Sequence, residues 1–293
     1  MQEEKKLKFR QNKSRDFYLQ DPHMYINNPD NTGEILDDSF EGKKLLTLGG
    51  AGNFFIDSTI YGVKDITIFD IHRYQYYLIA LKLLAIQKLP YEVYFEFLFN
   101  PDSEKYLSLE IMEYLFSDVE DYASISFWKK YIELKRREEH ASINLFTTSG
   151  TPNSKYLQSK KEYGKARESI SDISGINYLN ADIKELDLTD KSYDRIYLGN
   201  MPSLIDNKKF DFLIKSLKKG LSSDGEILYY IRDFYVPDPD KQSGKKKLAA
   251  RESRKNSVLS RGKMNILSNI GFEVTPSDIK GSNDVWVKAQ KRR

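Results

Sequence analysis

The chain has 293 residues with 46 basic and 43 acidic side chains, a net charge of +3, 40% hydrophobic residues and no cysteine. That length suits one sizeable α/β domain with an elaboration, or two small domains, and is enough to bury a proper core. The lack of cysteine excludes a disulfide framework and a thiolate nucleophile, and three widely spaced histidines, His23, His72 and His140, argue against a histidine-built metal centre, so no metal is expected.

Residues 1–6 lack the apolar core of a signal peptide, and no apolar run approaches the roughly eighteen residues that a membrane span requires. The expectation is a cytoplasmic protein without a transmembrane segment. Aromatic residues reach 13%, with 20 tyrosines and 16 phenylalanines, which supplies amphipathic rings for pockets. A net charge of +3 is too small by itself to argue for a nucleic-acid partner.

In chain order, a polar N-terminal segment of residues 1–40 carries Asp16-Phe17-Tyr18-Leu19-Gln20-Asp21-Pro22 and turn signals at Asn28-Pro29-Asp30 and Asn31-Thr32-Gly33. Lys44 to Leu48 reads as a first strand. It runs into the small-residue turn Gly49-Gly50-Ala51-Gly52-Asn53 and a helix, then a second strand, Asp65 to Asp70. Residues 73–88 recur at helical spacing and stop before Pro90. Residues 91–173 hold no convincing strand and several helical patterns, so they read as a helical insertion between strands two and three, either a cap or padding on the core.

Alternation resumes with strand three at Ile176 to Leu179 and strand four at Arg195 to Leu198, followed by a helix from Leu204 to Lys218 and a strand from Glu226 to Ile231. A helix near 250–270 and two closing strands, Phe272 to Thr275 and Asp284 to Ala289, complete the pattern. Residues 41–90 and 174–293 thus form one α/β domain, a doubly wound sheet of about seven strands ending in an antiparallel hairpin.

The turn after strand one is where chemistry concentrates. A strand entering a glycine turn and a helix, with a carboxylate about twenty residues on, is how α/β proteins hold an adenosine-bearing cofactor. Gly49, Gly50 and Gly52 let the backbone take positive φ and let a ligand approach without meeting a Cβ, while N–H groups open the following helix. Asp70, at the end of strand two, can accept both hydroxyls of a ribose. The same turn can also be plain connection chemistry. A dinucleotide site wants a third glycine where Phe55 stands, which favours S-adenosylmethionine, a nucleoside without pyrophosphate, as the cofactor.

Ligands of such sheets sit outside the carboxyl ends of the strands. Asp182 there can accept from the adenine 6-amino group with Ile183 beside the ring, or serve only as a cap or turn residue. Asn200-Met201-Pro202-Ser203 can place an amide and a carbonyl near the sulfonium or the acceptor. It departs in two of four places from the Asn-Pro-Pro-aromatic loop of enzymes that methylate exocyclic amines on bases, and Ser203 cannot stack on an extruded base. Between 241 and 263, nine basic residues face the single acid Glu252. This is a solvated face, a seat for an anionic substrate, or a nucleic-acid surface, the last disfavoured because no aromatic residue interleaves the charges.

The residues around these motifs resemble the 3-amino-3-carboxypropyl transferases of betaine-lipid synthesis and their relatives. Tyr18-Leu19-Gln20-Asp21-Pro22 looks like the end of that family's opening motif, with Gln20 for the usual Glu. Gly49 to Asn53 is similar to its Ser-x-Gly-x-Asn turn, keeping Asn53 and carrying Ala51 for a Gly. Asp70-Ile71-His72-Arg73-Tyr74-Gln75 is similar to its Asp-x-Asn-Pro-x-Gln, keeping Asp70 and Gln75 but with His72-Arg73 for Asn-Pro. The resemblance covers mainly residues 16–98. It implies a Rossmann-like fold of the class I methyltransferase type and S-adenosylmethionine as donor, with Ile71 and Gln75 beside the cofactor.

The functional expectation is therefore an S-adenosylmethionine-dependent transferase, moving an aminocarboxypropyl or a methyl group to a small-molecule or amphipathic acceptor. Tyr18 and Gln20 would close over the methionine end, and Asp206, Asp233 or Tyr18 would take the acceptor's proton. The alternatives are a nucleic-acid methyltransferase using the basic 241–263 segment and a binding protein that holds the cofactor without turnover.

Overall fold

A computed structural model describes residues 24–25, 32–63, 65–99, 108–118, 121–136, 146–147, 154–171, 176–188, 192–231, 258–278 and 285–292. Seven strands form one sheet: β2 (Lys44–Leu48), β3 (Asp65–Asp70), β5 (Ile176–Asn180), β6 (Tyr193–Tyr197), β7 (Leu221–Ile231), β8 (Phe272–Asp278) and β9 (Val285–Lys291). Their order is β5-β3-β2-β6-β7-β9-β8. Counted within the sheet, this begins 3-2-1-4-5, the doubly wound order in which the chain starts at the centre and winds outward on each side. β9 lies between β7 and β8 and runs antiparallel to both, whereas β2–β6, β3–β5 and β6–β7 are parallel. The fold is Rossmann-like, with the seven-stranded mixed sheet that the sequence pattern implied.

By packing, the chain divides into two compact units: residues 1–42 with 49–182, and residues 43–48 with 183–293. In the first, β3 and β5 pair from Ile66 opposite Ile176 to Asp70 opposite Asn180. The helices are α1 (Asn53–Ile60), α2 (Arg73–Lys88), α3 (Tyr91–Phe99), α4 (Leu109–Leu115), α5 (Tyr122–Arg136) and α6 (Lys160–Ser171). Helix α2 ends where Leu89 turns extended ahead of Pro90, whose ring would clash with a further helical turn. Helix α6 buries Tyr163, Ala166 and Ile170 and packs on α1 and α2, so this part of the 91–173 stretch belongs to the helical layer that carries the glycine turn. That stretch also contains a strand the sequence did not signal: β4 (Phe146–Thr147) pairs in parallel with β1 (Met24–Tyr25). Two-residue strands are too short for a period-two pattern to show.

In the second unit the expected helix at 204–218 splits. Pro202 favours a 3₁₀ turn at Met201–Leu204, and Asp206 then starts α7 (Asn207–Lys219) by accepting the Lys209 N–H at 2.8 Å. Phe210, Leu213, Ile214 and Leu217 form the buried stripe of α7. Strand β7 begins at Leu221, earlier than expected. Asp224-Gly225 lies inside the strand, where the pairing with β6 shifts register between Tyr193 and Arg195, and a Cβ at Gly225 would lie 2.6 Å from Leu221 Cγ. The last helix is α8 (Val258–Asn269), which packs on α7. No helix among the described residues is long and apolar enough to cross a membrane.

Phe210 is fully buried and meets the Tyr229 ring edge-on at 5.7 Å. Phe210→Ala should therefore cost about 3–5 kcal/mol of unfolding free energy in a denaturant titration, with the far-ultraviolet spectrum retained.

Candidate functional site

The carboxylate of Asp70 and the glycine turn are built onto each other. Asp70 ends β3 and is only 7% exposed. Its Oδ2 accepts the Gly50 N–H at 2.9 Å and its Oδ1 accepts the His72 N–H at 2.8 Å. A Cβ at Gly49 would lie 2.9 Å from Asp70 Oδ2, closer than real Cβ contacts, so only glycine lets the carboxylate come this near. Gly49 also donates its N–H to Phe69 O at 2.8 Å, and Gly50 and Gly52 take positive φ of 44° and 80°. Burial raises the Asp70 pKa, and the two backbone donors oppose that shift.

The two N–H groups are the hydrogen-bond partners of the Asp70 side chain among the described residues. They fill about half of the roughly four acceptor positions of a carboxylate. Beside it, Asn180 Nδ2 donates to the carbonyls of Asp70 and Ile71 at 2.9 and 3.2 Å, fixing the strand end. Tyr178, on the same face of β5 as Asn180, is buried edge-on against Tyr76, and its hydroxyl has no hydrogen-bond partner among the described residues. Asp182 is half-buried just after β5, and Gln75 is buried in the first turn of α2, donating its N–H to His72 O at 3.0 Å.

The turn itself departs from an N–H cradle. Gly50 spends its N–H on Asp70 and Gly52 spends its own on Gly49 O at 2.8 Å. A pyrophosphate needs such donors turned outward, so the turn presents a shaped backbone wall instead. Phe55 is buried at the place of the third dinucleotide glycine, with its ring 3.1 Å from where a Gly52 Cβ would be. Asn53 and Ala51 are buried and face inward: Ala51 O and Asn53 Oδ1 accept from Lys82 Nζ at 2.7 and 3.0 Å.

Lys82 and Asp57 are the residues the sequence reading missed. Asp57, one turn after Asn53 in α1, accepts the backbone N–H groups of Lys155 and Tyr156 at 2.9 Å each and the Thr32 hydroxyl. It ties residues nearly a hundred positions apart. Spacing could not signal either residue, because their partners come from distant segments.

Within the second unit, Ile183 is buried at the start of a 3₁₀ turn. Asn200-Met201-Pro202-Ser203 forms a closed turn in which Ser203 N–H donates to Asn200 O at 2.8 Å, entered through Gly199 at φ 57°. Asp206 caps α7, and the Lys209 N–H holds its carboxyl below the usual range. That makes it a weak proton acceptor. Lys263, read as part of a basic surface, is buried over the Phe210 ring. Tyr18, Gln20 and Asp233 and the basic residues from 241 to 255 lie outside the described residues.

No protein-family model matches the chain, and no curated protein sequence matches it. Solved structures do. An S-adenosylmethionine-dependent methyltransferase from Mesorhizobium loti is similar at 11% identity and a TM-score of 0.44, covering 89% of this chain and 95% of that one. A magnesium protoporphyrin IX methyltransferase from Synechocystis with bound S-adenosylhomocysteine aligns at 9% identity and 0.39, covering 89% and 79%. An N-methyltransferase from Bradyrhizobium japonicum with S-adenosylhomocysteine aligns at 12% and 0.38, covering 86% and 79%. Of another matched structure, from Nostoc punctiforme, the chain spans just over half, 54%.

Burial raises the Asp57 carboxyl from 3.8 to about 6, against the pull of its three donors and of Lys155. The native state therefore binds more protons than the unfolded chain between those values. The stabilisation this gives is complete below about pH 4 and lost as pH rises through 6, roughly 3 kcal/mol in all. Thermal unfolding from pH 4 to 7 should show that loss in the wild-type protein and a flatter profile in Asp57→Asn.

Proposed function

We propose that the chain is an S-adenosylmethionine-dependent group transferase acting on a small-molecule or amphipathic acceptor. The observation that carries this reading is Asp70, a buried carboxylate at the carboxyl end of β3, an inner strand of the sheet, with about half of its acceptor positions unfilled. A ribose diol offers two hydroxyl donors for the remaining positions. The backbone wall of Gly49 to Gly52, with its glycine N–H groups turned to internal partners, suits a nucleoside better than a pyrophosphate.

When bound, S-adenosylmethionine would supply an electrophilic carbon on sulfur to the acceptor's lone pair, the thioether leaving and the acceptor's proton passing to a base or water. The protein's part is positioning, because the carbon held in line with the acceptor decides which group moves. Asp70 would hold the ribose and Asp182 the adenine amino group, with Ile71 and Gln75 shaping the pocket edge. The roles of Ile183, Asn200, Met201 and Pro202 are proposed from their strand-end positions alone. Tyr18 and Gln20 would close over the methionine end by the family resemblance. With Asp206 engaged as a helix cap, Asp233 or Tyr18 is the better candidate for the proton acceptor.

The by-product separates the two transfers. Incubation with S-adenosylmethionine and candidate acceptors should release methylthioadenosine if the aminocarboxypropyl group moves and S-adenosylhomocysteine if the methyl group moves, as read by mass spectrometry. Neither nucleoside above the buffer level would refute the transferase. Asp70→Ala should weaken cofactor binding by about 1–3 kcal/mol in calorimetry, the cost of an unmet hydrogen-bonding need, and an unchanged affinity would remove the ribose role.

A further inference from the structure

Directly behind the glycine turn, Lys82 sits mid-helix in α2 within Leu81-Lys82-Leu83-Leu84-Ala85 and is completely buried. A buried ammonium is costly unless hydrogen-bonded, and an apolar side chain of similar volume would fill the same space more favourably. Two acceptors of the turn meet it: Ala51 O at 2.7 Å and Asn53 Oδ1 at 3.0 Å. Asn53 Oδ1 also accepts from Tyr156 at 3.4 Å, whose hydroxyl lies 3.0 Å from that of Tyr94.

The peptide between Ala51 and Gly52 is planar, so its carbonyl and its N–H are fixed together. Lys82 holds the carbonyl from behind, and Gly49 O holds the Gly52 N–H at 2.8 Å. Asn53 is held at its side chain, and Gly52 between the two anchors takes φ 80°. The backbone from Gly49 to Asn53 is thereby fixed at both ends and in the middle.

We propose that Lys82 is a positioning residue for the ligand seat, its ammonium clamping Ala51 and Asn53 so that the Gly49–Gly52 backbone keeps the shape against which the adenosyl ligand packs. This rests on the reading of that turn as the S-adenosylmethionine seat. The clamp is sensitive to pH in a defined direction. Burial pushes the ammonium down to about 7, against the pull of the Asp57 carboxyl on α1. The same network reaches Tyr156, which donates to Asn53, and through it Tyr94 on α3, both pushed up by burial and neutral near pH 7; Lys155 and Tyr163, the latter on α6, lie further along it, against Asp57 and the end of α2. Raising the pH through about 7 discharges Lys82 and replaces two charge-assisted hydrogen bonds with weaker neutral ones.

Calorimetry on the full chain with S-adenosylhomocysteine as the probe, from about pH 6 to 8, tests the clamp. The wild-type protein should bind about tenfold more weakly at the upper end. Lys82→Met should bind about tenfold more weakly at pH 6 and lose the pH dependence relative to wild type, and Lys82→Gln, which keeps a donor, should recover part of the affinity without the slope. Wild-type affinity and slope in Lys82→Met would overturn the proposal. If Lys82→Met does not fold, a wild-type slope in Lys82→Gln overturns it in the same way. Amide hydrogen exchange separates this from the functional reading. Should the wild-type protein bind no probe, that reading fails by itself. Faster exchange at Gly50 to Asn53 in the Lys82 variants then still upholds the clamp, and unchanged exchange ends it.

Discussion

The structure around the proposed ligand seat depends on a carboxylate placed against a peptide with no side chain between them. Asp70 can reach Gly50 only because Gly49 has no Cβ, and the Gly50 N–H then replaces part of the hydration the carboxylate loses on burial. The same bond ties the end of β3 to the end of β2's turn, so the helix start and the acidic strand end cannot shift independently. What binds there meets one surface composed of backbone and a partly satisfied carboxylate.

Behind this surface the unit invests in buried polarity. Asp57, Lys82, Asn53 and the hydroxyls of Tyr94 and Tyr156 lie at or near zero exposure, and each is met by a hydrogen bond. Such a network is stabilising only when fully satisfied, and its gain lies in fixing one arrangement out of several rather than in net energy. Asp57 links α1 to the turn at Lys155 and Tyr156 just before α6, and Lys82 links α2 back to the glycine turn. Helices α1 and α2, both packed on α6, thus stand behind the proposed seat.

Strands whose burial alternates with turns were legible in the sequence: β2 and β3 fall where the apolar runs end at Gly49 and at Asp70, and α2 stops before Pro90 as the missing N–H of proline requires. The irregular parts were not. Asp224-Gly225 has turn chemistry but sits inside β7, and Pro202 with Asp206 breaks one apparent helix into a 3₁₀ turn and α7. Of the candidate site, the pairing of the glycine turn with Asp70 was readable because it rests on local strand-end patterns. Lys82 was hidden in an apolar helix where a lysine reads as surface, since its acceptors at Ala51 and Asn53 lie about thirty residues earlier, 31 and 29.

The measurement closest to the central claim is a crystal structure of the chain with S-adenosylhomocysteine. The account places both ribose hydroxyls within hydrogen-bonding distance of the Asp70 carboxylate and the adenosyl group against the Gly49–Gly52 backbone. A ligand bound elsewhere with Asp70 untouched, or Asp70 closed off by its own backbone donors at saturating ligand, would contradict it.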